Sequence, residues 1–392
     1  LRGSAIKNTV AACLSQHVVA GLLTMGSLRF LLALAVAGGH AASFFGFSAT
    51  WILPGSRAVQ IFYIISGFLM AMILNGKYAD TPHGNWIFYT NRAVKIFTPY
   101  LAILALTIAV CLLSKAICGN ALLLDPWFSE SGNMTLSTWA FALLTNIFIV
   151  GQEWGYLLIY RAGSLLYSLQ AWEAPPMASQ FTIITPAWTL SIELMFYVLA
   201  PFIVRRHVLL IAALAFVSQY FRYEAYHLGY YSEATNYRFF PFELSLFLYG
   251  AVCFRLGRLP SQINARWAAA STAATILTIV FLPRYFLENQ YQLYAIVGAL
   301  LPILFDFSRR NNWDRSLGEL SFPLYLVHWP VVVFSSTLVR AYEPSSIGTT
   351  AAFPIAAIAI AIAASGLINR FIVDPVDTWR QTRAKTAEIA SA

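Results

Sequence analysis

Apolar stretches long enough to cross a bilayer, about 20 residues each, recur along the chain at 28–47, 57–75, 96–118, 186–204, 208–222, 239–256, 266–283, 291–307, 317–340 and 350–373. This pattern predicts an all-α polytopic transmembrane helical bundle of ten spans. An eleventh apolar stretch, 138–150, is short for a crossing. With it left out, residues 119–185 form one long outer loop that can dip into the membrane or lie along it. The chain begins at Leu1, and residues 1–24 form a weak, poorly bounded apolar run ahead of Met25. We read 1–24 as an extension outside the fold, 25–376 as a single membrane domain and 377–392 as a cytoplasmic tail.

Composition agrees with the pattern. Hydrophobic residues make up 59% of the chain and charged residues 11%, and the mean hydropathy is +0.65. A soluble domain carries about 25% charged residues. The net charge of +8 does not point to nucleic acid, because the 25 Lys and Arg are scattered between apolar segments. Their distribution instead sets orientation. If the chain enters from the cytoplasm at Arg29, the inner side collects Lys77, Arg92, Lys95, the Arg205-Arg206 and Arg309-Arg310 pairs, Arg315 and Arg370. The outer side keeps Arg57, Lys115, Arg161, Arg222, Arg238, Arg284 and Arg340. Ten spans with both termini cytoplasmic follow; counting 138–150 as a crossing would put both arginine pairs outside. The four cysteines have no CxxC spacing, and with histidines so dispersed they form no metal-site pattern.

Several polar residues fall inside the spans, where an ionisable group is costly and function is its default reading. Arg29 and His40 are eleven residues apart in the first span. In a helix that spacing rises about 16 Å and turns the two side chains within about 20° of each other. On this topology His40, Ser66, Glu193 and His328 come out at similar depths. Four groups capable of proton chemistry then share one layer, with a histidine as the natural partner of the Glu193 carboxylate. A neutral imidazole is suited to accept a proton near pH 7. Below the layer, residues 85–100 interleave Trp86, Phe88 and Tyr89 with Arg92 and Lys95. The segment reads as an interfacial amphipathic stretch whose cations bind either an anion or lipid headgroups.

Taken together, these segments resemble the acyltransferase-3 family, the integral membrane acyltransferases that modify bacterial surface polysaccharides and related acceptors. The resemblance rests on Arg29 followed eleven residues later by His40, on FYIISGF at 62–68, on NRAVKIFTPY at 91–100, on WTLSIELMFYVLAP at 188–201 and on YLVH at 325–328. Tyr63, Asn91 and Thr189 stand where that family commonly has phenylalanine, arginine and serine.

The resemblance implies transfer of an acyl group, commonly acetyl, from cytoplasmic acyl-CoA to a hydroxyl of a lipid-linked or extracytoplasmic glycan, in the bacterial inner membrane. It gives His40 and Glu193 the catalytic roles, with His40 as base or transient acyl carrier and Glu193 orienting it. Arg29, Arg92 and Lys95 would bind the donor phosphates, and Ser66, Trp188, Tyr325 and His328 would line the pocket. Glu243 and the 119–185 loop mark the outer mouth as the acceptor side. Two alternatives stay open on sequence grounds: a proton-coupled glycan transporter or flippase using His40, Glu193 and His328 as a relay, and a non-catalytic scaffold.

Overall fold

A computed structural model describes residues 25–48, 53–79, 82–257, 289–308 and 311–379. The extension 1–24, the predicted span 266–283, the Arg309-Arg310 pair and the tail beyond residue 379 lie outside the described residues. The protein is an all-α polytopic bundle. Among the described residues, eight helices are long and apolar enough to cross a membrane. They are α1 (Gly26–Phe44), α2 (Gly55–Asn75), α3 (Gly84–Cys118), α6 (Trp188–Ile203, with the preceding 3₁₀ turn), α7 (Val208–His227), α10 (Gln290–Ser308), α11 (Asn312–Tyr342) and α12 (Ala352–Ile368, continued by a π-helical turn at Asn369–Val373). The predicted span 239–256 forms α9 (Phe240–Leu256), whose 17 residues rise about 26 Å.

The interfacial stretch and the third span are not separate elements. They form α3, a continuous helix of 35 residues. That length, about 52 Å, exceeds a hydrocarbon core of about 30 Å. Its first turns therefore project past one membrane face and carry Arg92 and Lys95 to the boundary.

Two glycines explain the central packing. A Cβ on Gly67 would stand 1.8 Å from the Phe247 carbonyl oxygen, and one on Gly250 would stand 1.9 Å from that of Ile64. Neither approach leaves room for a side chain, so α2 and α9 meet backbone to backbone, as small residues allow between membrane helices. The glycine of the SGF motif is thus a packing requirement.

The pairing of α1 with α11 positions the chemistry. Asp314, in the first turn of α11, accepts from the Gly26 and Ser27 backbone N–H groups at 2.7 and 2.9 Å, and from the Ser27 hydroxyl. A carboxylate at a helix N-terminus satisfies orphan donors and favours the helix dipole. At the other end, Arg340 of α11 donates to the Phe44 carbonyl at 2.6 Å. One helix therefore caps both ends of its neighbour, and the two run parallel.

Residues 119–185, the expected outer loop, fold into a cap over one end of the bundle. It contains α4 (Asp125–Glu130), α5 (Leu136–Phe148) and an antiparallel hairpin of β1 (Leu158–Arg161) and β2 (Ser164–Tyr167). The stretch 138–150 is largely α5, a helix of 13 residues. Asn146 rivets the cap down: its amide donates to the Phe181 carbonyl at 2.8 Å, its Oδ1 accepts from Ile183 N–H at 2.9 Å, and its backbone carbonyl accepts from Tyr100 of α3 at 2.6 Å. Gly151 N–H donates to the Ser191 hydroxyl of α6 at 2.9 Å.

Candidate functional site

The four groups expected in one layer resolve into two adjoining constellations. The first is a histidine pair. His40 Nδ1 and His328 Nε2 are 2.9 Å apart, and the rings lie 7° from parallel with centroids separated by 5.2 Å. That separation is what two coplanar imidazoles touching edge to edge require, which aligns the N–H with its acceptor. His328 Nδ1 lies 3.1 Å from the Leu324 carbonyl. A carbonyl can only accept, so assigning the protons from the network makes this nitrogen the N–H of His328. Its Nε2 is then a lone pair, the N–H of His40 lies on Nδ1, and His40 Nε2 is an unprotonated base. Trp329 packs edge-on against the His40 ring at 5.3 Å. His328 is fully buried.

This arrangement corrects the expected partnership between Glu193 and His40. The hydrogen bonds of Glu193 go to Ser66, whose hydroxyl donates to it at 2.9 Å, and to Tyr197, one turn along α6. The residue that orients His40 is His328. The physical reason is cost: a neutral imidazole can accept the Nδ1–H inside the bundle without burying a second charge.

The second constellation is a cavity of about 100 Å³ lined by Arg29, Arg92, Lys95, Ser66, Glu193 and Tyr197, with Tyr63, Thr189 and Tyr325 also in its wall. Three cations face one carboxylate. Arg92 also lies over the rings of Phe88 and Tyr197 at 5.9 and 5.8 Å. The eleven-residue rise from Arg29 to His40 runs from this cluster to the histidines. Tyr325 joins the two constellations. It lines the cavity, its ring centroid is 6.0 Å from that of His328, and its hydroxyl meets that of Thr189 at 2.8 Å. Tyr63 presents a buried hydroxyl with no hydrogen-bond partner among the described residues.

Three expectations move. His328 and Trp188 do not line the cavity; His328 pairs with His40 behind Tyr325, and the Trp188 ring packs on Tyr237 and on the Arg238 guanidinium. Glu243 does not open onto the outer mouth. It is wholly buried, with Oε1 accepting from Gln60 Nε2 at 2.8 Å and facing Arg222 at 3.3 Å.

Sequence reasoning missed Tyr197, Asp314 and the placement of Arg238. Tyr197 follows Glu193 by four residues, a spacing that puts both on one helix face. Asp314 and Arg238 had no such local signal, because their partners lie far away in the chain.

Comparison with known proteins agrees with the geometry. The family profile described as "Acyltransferase domain" matches residues 25–370. A relative from Komagataeibacter xylinus, named "Putative membrane-bound transacylase BcsY", is 24% identical over 310 residues, covering 74% of this chain and 70% of the relative. No solved structure matches. A match across nearly all of the described bundle places this chain in the acyltransferase-3 family of membrane acyltransferases.

Proposed function

We propose that the protein moves an acetyl group from cytoplasmic acetyl-CoA to a hydroxyl of an extracytoplasmic or lipid-linked glycan in the bacterial inner membrane. The observation that carries this reading is the unprotonated Nε2 of His40, oriented by His328, beside a cavity lined by three cations whose wall residue Tyr325 stands 6.0 Å from the His328 ring. Arg29 and Arg92 present guanidinium groups, which bind phosphate oxyanions through a planar fork and stay charged. Lys95 adds a point charge. With the phosphates of the donor held there, its pantetheine arm follows the rise of about 16 Å along α1 and brings the thioester past Tyr325 to His40.

His40 Nε2 then takes the proton of the acceptor hydroxyl as its oxygen attacks the thioester carbonyl. The carbon–sulfur bond breaks, and the proton passes to the departing thiolate. In the covalent variant, Nε2 attacks the carbonyl first and the thiolate leaves, giving an acyl-imidazolium that keeps its Nδ1–H; the hydroxyl oxygen then attacks the acyl carbon, the nitrogen–carbon bond breaks, and the hydroxyl proton passes to the thiolate. Both variants require the same tautomer, which His328 enforces by accepting from His40 Nδ1–H. Glu193 holds Ser66 and Tyr197 in the cavity wall and balances part of the cationic charge.

The acceptor approaches from the capped outer side. Sealed vesicles of the two orientations, given membrane-impermeant acetyl-CoA and a soluble glycan, test this. Transfer is expected when the donor is on the cytoplasmic face and the acceptor on the opposite one. A need for both substrates on the cytoplasmic face would refute the two-sided reading and leave acyl transfer intact.

A further inference from the structure

Arg238 lies in the short segment between α8 (Glu233–Asn236) and α9, on the outer side of the histidine pair. Its side chain is only 12% exposed. The guanidinium carbon sits 4.0 Å from the ring centroid of Tyr156, which belongs to the cap, and 4.2 Å from that of Trp188, at the start of α6. Two aromatic faces drawn from distant parts of the chain therefore hold one flat cation. Lysine could not fill this slot in the same way, since stacking needs a planar group.

Stacking uses the faces of the guanidinium and leaves its edges, where every N–H lies. One edge is occupied: Nη2 donates to Glu233 at 2.9 Å. That carboxylate is 54% exposed and sits at the rim. Nε and Nη1 are buried and have no hydrogen-bond partner among the described residues. Leaving buried charged donors without an acceptor is costly.

A neighbouring arginine shows how this bundle treats a purely structural cation. Arg222 of α7 donates from Nε to Asn236 at 2.7 Å and faces the Glu243 carboxylate with Nη1 at 3.3 Å. Arg238, two residues beyond Asn236, is clamped more firmly yet bonded less. It stacks on Trp188, whose chain neighbour Thr189 meets the hydroxyl of Tyr325, and the Tyr325 ring stands 6.0 Å from that of His328.

We propose that Arg238 is the anion-anchoring residue of the acceptor site: it pairs with a carboxylate or phosphate on the acceptor and so aims the acceptor's hydroxyl at His40. The inference rests on the reading that the acceptor enters from the outer side. It predicts an acidic acceptor, either a sugar bearing a carboxylate or a glycan carried on a lipid phosphate.

The test uses the full chain in nanodiscs and two matched pairs of probes, methyl glucuronide against methyl glucoside and farnesyl phosphate against farnesol. At least one anionic probe is expected to bind at least tenfold tighter than its neutral counterpart, and the pair showing the difference identifies the source of the charge. Arg238→Gln should abolish that difference while acetyl-CoA affinity stays unchanged. Arg238→Lys keeps the charge without the stacked plane and should retain only part of it. Equal binding of both members of each pair to the native protein overturns the inference and needs no variant. Unchanged anion preference in a folded Arg238→Gln protein overturns it as well, and leaves the acyl-transfer reading standing. Arg238-dependent anion binding without any acetyl transfer would do the reverse.

Discussion

Glu193 and Glu243 are both carboxylates inside the bundle, and they have opposite surroundings. Glu243 is wholly buried among Gln60, Arg222 and, through Gln60, the Tyr294 hydroxyl. A buried carboxylate meets a buried guanidinium, and the cluster joins α2, α7, α9 and α10. Glu193 lines a cavity, takes its hydrogen bonds from two hydroxyls, and shares the cavity with three cations. Gln60 and Ser66, the α2 partners of the two carboxylates, are only six residues apart. The difference separates a carboxylate packed directly against its buried partners, with Arg57 also donating to Gln60 at 3.4 Å, from one that faces three cations across a space.

The largest expected effects break the comparison at its ends. His40→Ala should lower acetyl transfer by about 10²- to 10⁴-fold in a protein that still inserts and melts normally. His328→Ala should cost roughly 10²-fold, because the free tautomer of His40 is no longer enforced. Near-normal transfer in a folded His40→Ala protein removes the central claim. Glu243→Ala should do the opposite, leaving Arg222 buried without its partner and destabilising the fold by about 3–5 kcal/mol. Thermal unfolding in nanodiscs reads that loss. A stable but inactive Glu243→Ala protein would erase the distinction drawn above.

A smaller effect sharpens the cationic side. Arg29→Ala is expected to raise the KM for acetyl-CoA by roughly tenfold, the loss of one charge-assisted hydrogen bond to phosphate. Arg29→Lys should raise it less, since lysine keeps the charge and loses the fork. Equal KM values in the two variants would mean that Arg29 anchors the helix and does not read the donor.

The smallest effect lies in the cap. Burial pushes the Glu153 carboxyl above the usual carboxylate range, with the Ser191 hydroxyl and nearby backbone amides pulling the other way. The folded protein therefore holds this proton more tightly than the unfolded chain does. Stability from this group is greatest below the ordinary glutamate pKa, near 4.3, and is lost as pH rises through the raised folded value. Glu153→Gln cannot ionise and should melt above the native protein at about pH 8, with the gap closing toward about pH 4. A gap independent of pH would show that the carboxyl is not the titrating group.

Whatever depends on helical rise was legible in the sequence. The spacing of Arg29 and His40 placed a cation and a base on one face, and the apolar windows gave the helices of the bundle. What failed was the choice of partners across helices. Similar depth suggested that Glu193 serves His40, yet depth does not say which helices touch, and α1 lies against α11. The Asp314 cap escaped notice for the same reason, since Gly26 and Asp314 are separated by 288 residues. The hairpin of the cap was missed because its strands have four residues each, too few for alternation to stand out in an aromatic-rich loop.

The parallel pairing of α1 and α11 works as a ruler. Gly26 meets Asp314 at one mark, and fourteen residues further along each helix His40 meets His328 at the next. A single residue inserted between the marks on one helix would turn its histidine by about 100° and lift it about 1.5 Å. Matched insertions on both helices would keep the pair aligned. The ruler also has a timetable. His40 is made early in synthesis and its partner 288 residues later, so a nascent chain holds the first half of the histidine pair alone until α11 arrives.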